Sequence, residues 1–198
     1  MNSEKIKKIF ALIFIIVLFN TKIFASPKDF IAELTSNASS ILANNFDKNE
    51  KMRKLIILAE EKVDINGIGM YTLGKYRKSL NEDQLKEYEI LFREYFLKSF
   101  SSRLSEYTDP KINVLSEEII NEKYTIVFSI LEADEKRPEI KIDWRVYTKN
   151  PENPLIRDLI IEGLSLARTQ KEEFASILSS NNNDINALFE TLEEFSNN

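Results

Sequence analysis

Past Asp109-Pro110 the apolar residues stop recurring at the three-and-four spacing of a helix and begin to alternate; near Thr169 the helical spacing returns. A chain with this pattern must place a run of strands between two groups of helices. Before the switch, Phe30, Ile31, Leu34, Ala38, Ile41 and Leu42 share one helical face within Pro27–Asn44. Asp47 with Glu50 predicts a capped helix over about Lys48–Val63. Asp64 can cap a short helix that Gly74 can end. Asn81 with Gln84 opens the longest periodic stretch, about Glu82–Tyr107, whose stripe includes Tyr88, Phe92, Phe96 and Phe100.

Four strands are predicted after the switch: Lys111–Ile119, Lys123–Leu131, Glu139–Tyr147 and Leu155–Ala167. Their links are short, polar and proline-bearing, which favours an antiparallel meander. Lys141, Asp143 and Arg145 alternate with Ile140, Ile142, Trp144 and Val146, so one face of that strand meets solvent. The last strand is apolar on both faces except at Glu162-Gly163. There Gly163 predicts a bulge or a close approach, and Glu162 predicts a carboxylate satisfied by hydrogen bonds or a cation near the bend. Thr169 with Glu172 predicts the cap of a helix through Ser180, and Asp184 the cap of a terminal helix. The fold class is α+β: helices packed on one face of a four-stranded antiparallel sheet.

The N-terminus carries its own signal. Lys5, Lys7 and Lys8 precede an unbroken apolar run from Ile9 to Phe19, shorter than the roughly 20 residues that cross a membrane. "IFAS" follows, with Ala25 at a cleavage position. This reads as a secretory signal peptide over 1–25, followed by a single exported domain over 26–198; an uncleaved anchor is the alternative.

Composition then excludes several chemistries. The 198 residues include no histidine and no cysteine. That removes Ser-His-Asp triads, thiol nucleophiles, disulfides and Cys/His metal centres. The formal net charge of −5 argues against nucleic acid as a partner. No phosphate-binding glycine loop is present. Glu60-Glu61, Glu117-Glu118 and Glu172-Glu173 read as solvated charge rather than catalytic pairs. What remains is a surplus of apolar and aromatic side chains, which either close as a packed core or leave an apolar cavity. Periodicity does not separate the two.

The stretches "VDINGIGMYTLGKYRK", "SLNEDQLKEYEILFREYF", "LSEYTDPKINVL", "IKIDWRVY" and "RDLIIEGLSLARTQKEEFASIL" occur in this order. Together they give a chain that resembles the MlaC family over about 30–195. These are periplasmic phospholipid-carrying proteins, also called toluene-tolerance or lipid-asymmetry proteins. The family's final strand commonly reads Asp, aliphatics, Glu-Gly, aliphatic-Ser-aliphatic; Asp158, Leu159–Ile161, Glu162, Gly163, Leu164, Ser165 and Leu166 match it. This chain departs from the family at Arg77, where a tryptophan is usual, at Asn153-Pro154, and at Thr169, Gln170 and Lys171.

The resemblance implies an NTF2-like curved sheet with an apolar pocket. Acyl tails of a glycerophospholipid would occupy the pocket, with the headgroup near solvent. It implies a monomer with no cofactor, no metal and no catalytic residue. Its partners would be an inner-membrane ABC transporter complex bearing an MCE-type ring, which would hydrolyse the ATP, and an outer-membrane lipoprotein–porin complex. Candidate pocket walls are Tyr124, Ile126, Phe128 and Ile130 on one strand, Ile140, Ile142, Trp144 and Val146 on the next, and Phe92, Phe96 and Phe100 on the long helix, with Ile161 and Leu164 on the last strand. Tyr76, flanked by Lys75 and Arg77, is a candidate for the pocket mouth; structural capping is the other reading of these three. From a different class stands an enzyme on the same fold, using Asp143 or Glu162 with a tyrosine on a small hydrophobic substrate.

Overall fold

A computed structural model describes residues 26–135 and 137–197. The expected signal peptide, 1–25, lies outside the described residues. Four helices precede the sheet: α1 (Pro27–Ala43), α2 (Lys48–Lys62), α3 (Ile65–Leu73) and α4 (Glu82–Leu104). Each starts where a side chain satisfies an otherwise orphaned backbone N–H. Ser26 accepts from Asp29 N, Asp47 from Glu50 N, Asp64 from Gly67 N and Asn81 from Gln84 N, the last as a full capping box. Gly74, with φ +56°, ends α3 in a backbone conformation that suits glycine. A 3-10 turn over Tyr76–Lys78 leads into α4.

The sheet is an antiparallel meander in the order β1 (Ile112–Asn121), β2 (Tyr124–Leu131), β3 (Ile140–Tyr147), β4 (Leu155–Ile161) and β5 (Leu164–Ser165). β1 is bulged after Val114 and again after Ile119, and β4 is bulged at Arg157. Such bulges bend strands and add twist. α5 (Leu166–Ser180) and α6 (Ile185–Asn197) complete the chain.

The α+β expectation holds, with one correction at the last strand. Leu155–Ala167 is not continuous. It reverses at Glu162 and Gly163, both with positive φ (+49° and +81°), so that Ile161 faces Leu164 and Ile160 faces Ser165. Two successive positive φ values make the two-residue hairpin turn whose twist suits flanking strands. The sheet therefore has a fifth, two-residue strand. Gly163 is there for its φ alone: a Cβ at this position would meet nothing within 4 Å, so no close approach exists. Gly163→Ala is accordingly expected to lower stability by about 1–2 kcal/mol, the left-handed cost of an L-residue. A lower urea midpoint with an unchanged slope would show it. The cap of α5 is also earlier than expected. Ser165, not Thr169, accepts from Arg168 N, and Thr169 lies in the first turn, donating to the Ser165 carbonyl.

Register assigns the faces of the sheet. Thr125, Val127, Ser129 and Leu131 on β2 stand opposite Val146, Trp144, Ile142 and Ile140 on β3. This face meets the helices: Val127, Trp144, Val146 and Ile156 join Phe30, Ile31, Tyr88, Phe92, Phe174 and Leu188 in one core. The buried hydroxyls belong there too. Ser129 Oγ accepts from Trp144 Nε1 at 2.8 Å and donates to the Ile142 carbonyl at 2.9 Å. Tyr88 Oη meets Thr72 Oγ1 at 2.8 Å, and burial pushes its phenol above the ordinary tyrosine range while the Thr72 bond opposes the shift.

The free edge of β1 is met by the start of α1. Lys28 Nζ donates to the Leu115 carbonyl at 2.8 Å, and the Lys28 amide donates to Glu117 Oε2 at 2.6 Å.

Candidate functional site

The second face of the sheet carries Tyr124, Ile126, Phe128 and Ile130, opposite Tyr147, Arg145, Asp143 and Lys141. Over its Tyr124 end lies a cavity of about 390 Å³. The sheet supplies Tyr124, Ile126, Arg145 and Asp158; the β1–β2 hairpin supplies Ile120 and Asn121. Gly67 and Tyr71 of α3 and Ala167 of α5 close it from beyond β4. The chain reaches that side because Val63 forms a parallel bridge with Ile156, which carries α3 past the edge of β4.

Its wall is apolar with a charged end. Arg157 leans on the Tyr147 ring, with Cζ 4.7 Å from the centroid, and forms an ion pair with Asp64 through Nε and Oδ2 at 2.5 Å. Tyr147 and Tyr124 pack with centroids 5.5 Å apart. Asp158 is buried and fully engaged: Ser165 Oγ donates to it at 2.6 Å and Ala167 N at 3.0 Å. Its carboxylate fastens the start of α5 to β4, and with it the Ala167 side of the cavity.

The sequence-derived candidates divide between two faces. Ile126 and Tyr124 line the cavity; Phe128 and Ile130 continue the same face beyond it, half-buried. Ile140, Ile142, Trp144 and Val146 are on the helix side, where Val146 is inaccessible and Trp144 nearly so. Phe92 is buried in the core, and Phe96 and Phe100 are half-buried, their rings stacked at 5.9 Å. Ile161 and Leu164 pair across the hairpin turn, with Leu164 exposed. Tyr76 is half-buried against the core with Lys75 Nζ 5.1 Å from its ring centroid; neither it nor Arg77 lines the cavity.

Sequence reasoning missed Gly67, Tyr71, Ile120, Asn121, Arg145, Arg157, Asp158 and Ala167 as cavity residues. The signal for two of them was visible: an arginine and an aspartate side by side, Arg157-Asp158, in an otherwise apolar strand.

The two acids of the enzyme reading stand apart from the cavity. Asp143 is held above the usual carboxylate range by burial, with Lys141 opposing and Glu162 adding to the shift. Glu162 uses its side chain to accept from the Lys141 amide, while its own amide donates to the Lys141 carbonyl. That is the hydrogen-bonded role expected for it near the bend. Among the described residues no acidic cluster is placed to hold a metal, and no helix is long and apolar enough to cross a membrane.

Comparison with known proteins follows the same lines. The family model described as MlaC protein matches residues 28–194. Comparison with curated proteins gives no match. Among solved structures, a phospholipid-binding protein from Ralstonia solanacearum, in complex with a phospholipid, superposes with a TM-score of 0.72 at 16% identity, covering 87% of this chain and 97% of that one.

Proposed function

The chain belongs to the MlaC family, and on that premise we propose that it carries phospholipid across an aqueous compartment, taking acyl chains into its apolar interior. In this reading residues 1–25 direct export, 26–198 act as one lipid-binding domain, and the mature protein is a periplasmic monomer without cofactor. It passes lipid between an inner-membrane MCE-type ABC transporter complex and an outer-membrane lipoprotein–porin complex.

The observation that carries the reading is the cavity over Ile126, Tyr124 and Tyr71, on a sheet whose second strand is apolar on this face as well as towards the helices. The likeness to a fold solved with a phospholipid supports it. Energetics make such a cavity necessary. Each methylene exposed to water costs about 0.8 kcal/mol, so two chains of roughly 16 carbons cost on the order of 25 kcal/mol. A carrier must offer a site nearly as apolar as the bilayer, so that uptake and release are both close to neutral. At about 390 Å³ the cavity stands near the lower end of ligand pockets, typically about 300–1,000 Å³. A two-chain lipid needs more room than that, and in this reading it opens a second space on the helix side of the sheet, along the half-buried apolar layer that includes Phe96, Phe100, Ile142 and Leu159.

Native mass spectrometry of the expressed protein tests the proposal. The expected result is a bound mass of phospholipid size that denaturation releases. An apo mass, together with no uptake of labelled phospholipid from liposomes, would sink it.

A further inference from the structure

One cation in the cavity wall has more built around it than packing requires. We propose that Arg157, with Arg145 beside it, forms a phosphate subsite that grips the phosphodiester of the bound lipid; this rests on the carrier reading above.

The first support is space. A Cβ at Gly67 would fall 2.5 Å from Arg157 Cζ, 2.7 Å from Nε and 2.8 Å from Nη1. Helix α3 thus omits a side chain where the guanidinium lies, although glycine inside a helix costs roughly 1 kcal/mol relative to alanine. The second is aim. Asp64 stands against the Nε side, and its other oxygen is occupied by the Gly67 amide at 2.8 Å. Tyr147 supports the guanidinium plane. An arginine held on its Nε side and its flat face keeps the two-pronged Nη side for a ligand, and paired N–H donors suit a phosphate.

The third is charge. Arg145 is exposed and lines the same cavity. It stands opposite Asp158 in the register, yet among the described residues it forms no ion pair. Asp158 is turned instead to Ser165 and Ala167. An apolar wall whose end carries two arginines, with Asp64 ion-paired to one of them and Asp158 hydrogen-bonded to Ser165 and Ala167, suits a ligand with a hydrocarbon body and an anionic oxygen group.

The test compares dioctanoyl-phosphatidylglycerol with dioctanoylglycerol, which has the same chains and no phosphate, in delipidated protein. Wild-type protein should prefer the phosphodiester by about tenfold or more. Arg157→Gln should bring that preference close to unity, by weakening the phosphodiester far more than dioctanoylglycerol. Gly67→Ala should do the same with every charge in place, because the added methyl displaces the guanidinium while favouring the helix. Inorganic phosphate at millimolar concentration should displace neither lipid. Displacement by inorganic phosphate would make this a site for the free ion and overturn the lipid assignment. A preference that survives in both variants, equal loss of both lipids in both variants, or equal wild-type affinity for the two lipids would each overturn the subsite. Wild-type protein that takes up neither lipid would bring down the carrier reading itself, and the subsite with it.

Discussion

Asp158→Ala is expected to remove about 3–5 kcal/mol of folding stability, the loss typical of a buried polar group whose partners are left behind. Asp158 is only 4% exposed and accepts from the Ser165 hydroxyl and the Ala167 amide. Ser165 is also the cap of α5, with Oγ accepting from Arg168 N at 3.1 Å. One carboxylate therefore holds β4, the two-residue strand after the turn, and the first turn of the following helix. Alanine leaves the buried Ala167 N–H without an acceptor and frees the serine that caps the helix. Asp158→Asn keeps the shape and one acceptor oxygen, so a smaller loss of about 1–3 kcal/mol is expected. Urea unfolding of both variants checks the order. A loss below about 1 kcal/mol for alanine would mean that water replaces the carboxylate and that the junction is looser than its geometry indicates.

Phe174→Ala is the second large effect, also about 3–5 kcal/mol. Phe174 is 2% exposed and stands edge-on to Tyr88 and Phe92, at 6.5 and 6.2 Å, with Tyr95 at 6.0 Å. It comes from α5 and its three ring partners from α4, so the contact joins the last third of the chain to the first group of helices. The informative comparison is Phe100→Ala on the same aromatic system. Phe100 is half-buried and stacks on Phe96. Its truncation is expected to cost stability less, about 1–2 kcal/mol, and phospholipid uptake more, if the carrier opens along that layer. Equal effects of both variants on stability, with uptake unmoved, would assign Phe96 and Phe100 to plain core.

The local grammar of the fold was legible in the sequence. The capping pairs at Asp47, Asn81 and Asp184 and the change of period after Pro110 act through a few adjacent residues, so their structural consequence is local too. The faces of β2 were not legible. Tyr124, Ile126, Phe128 and Ile130 are the more apolar set, yet it is Thr125, Val127, Ser129 and Leu131 that meet the helices. Ser129 belongs inside because Trp144 supplies the donor that a buried hydroxyl needs, and that partner is visible only once β2 and β3 are in register. The cavity was out of reach for a related reason: Gly67, Arg157 and Ala167 come from three separate elements around the β4 edge. The reversal at Glu162-Gly163 is masked in the sequence because the apolar letters continue through it.

The Lys28 contacts at the rim of the sheet bear on how strand exchange between molecules is limited while the chain folds. β1 presents ten residues of backbone at the margin of the meander, with Ile119 and Ile120 uncovered. An open strand of that length is a template for another chain. Here a lysine and the first helical turn occupy the margin, and bulges break its regularity. The shield belongs to α1, the most N-terminal described element, and the strand it shields lies some seventy residues further on. Protection of this edge against strand exchange between molecules therefore rests on a contact between two distant parts of the chain, and it is in place only once α1 has docked.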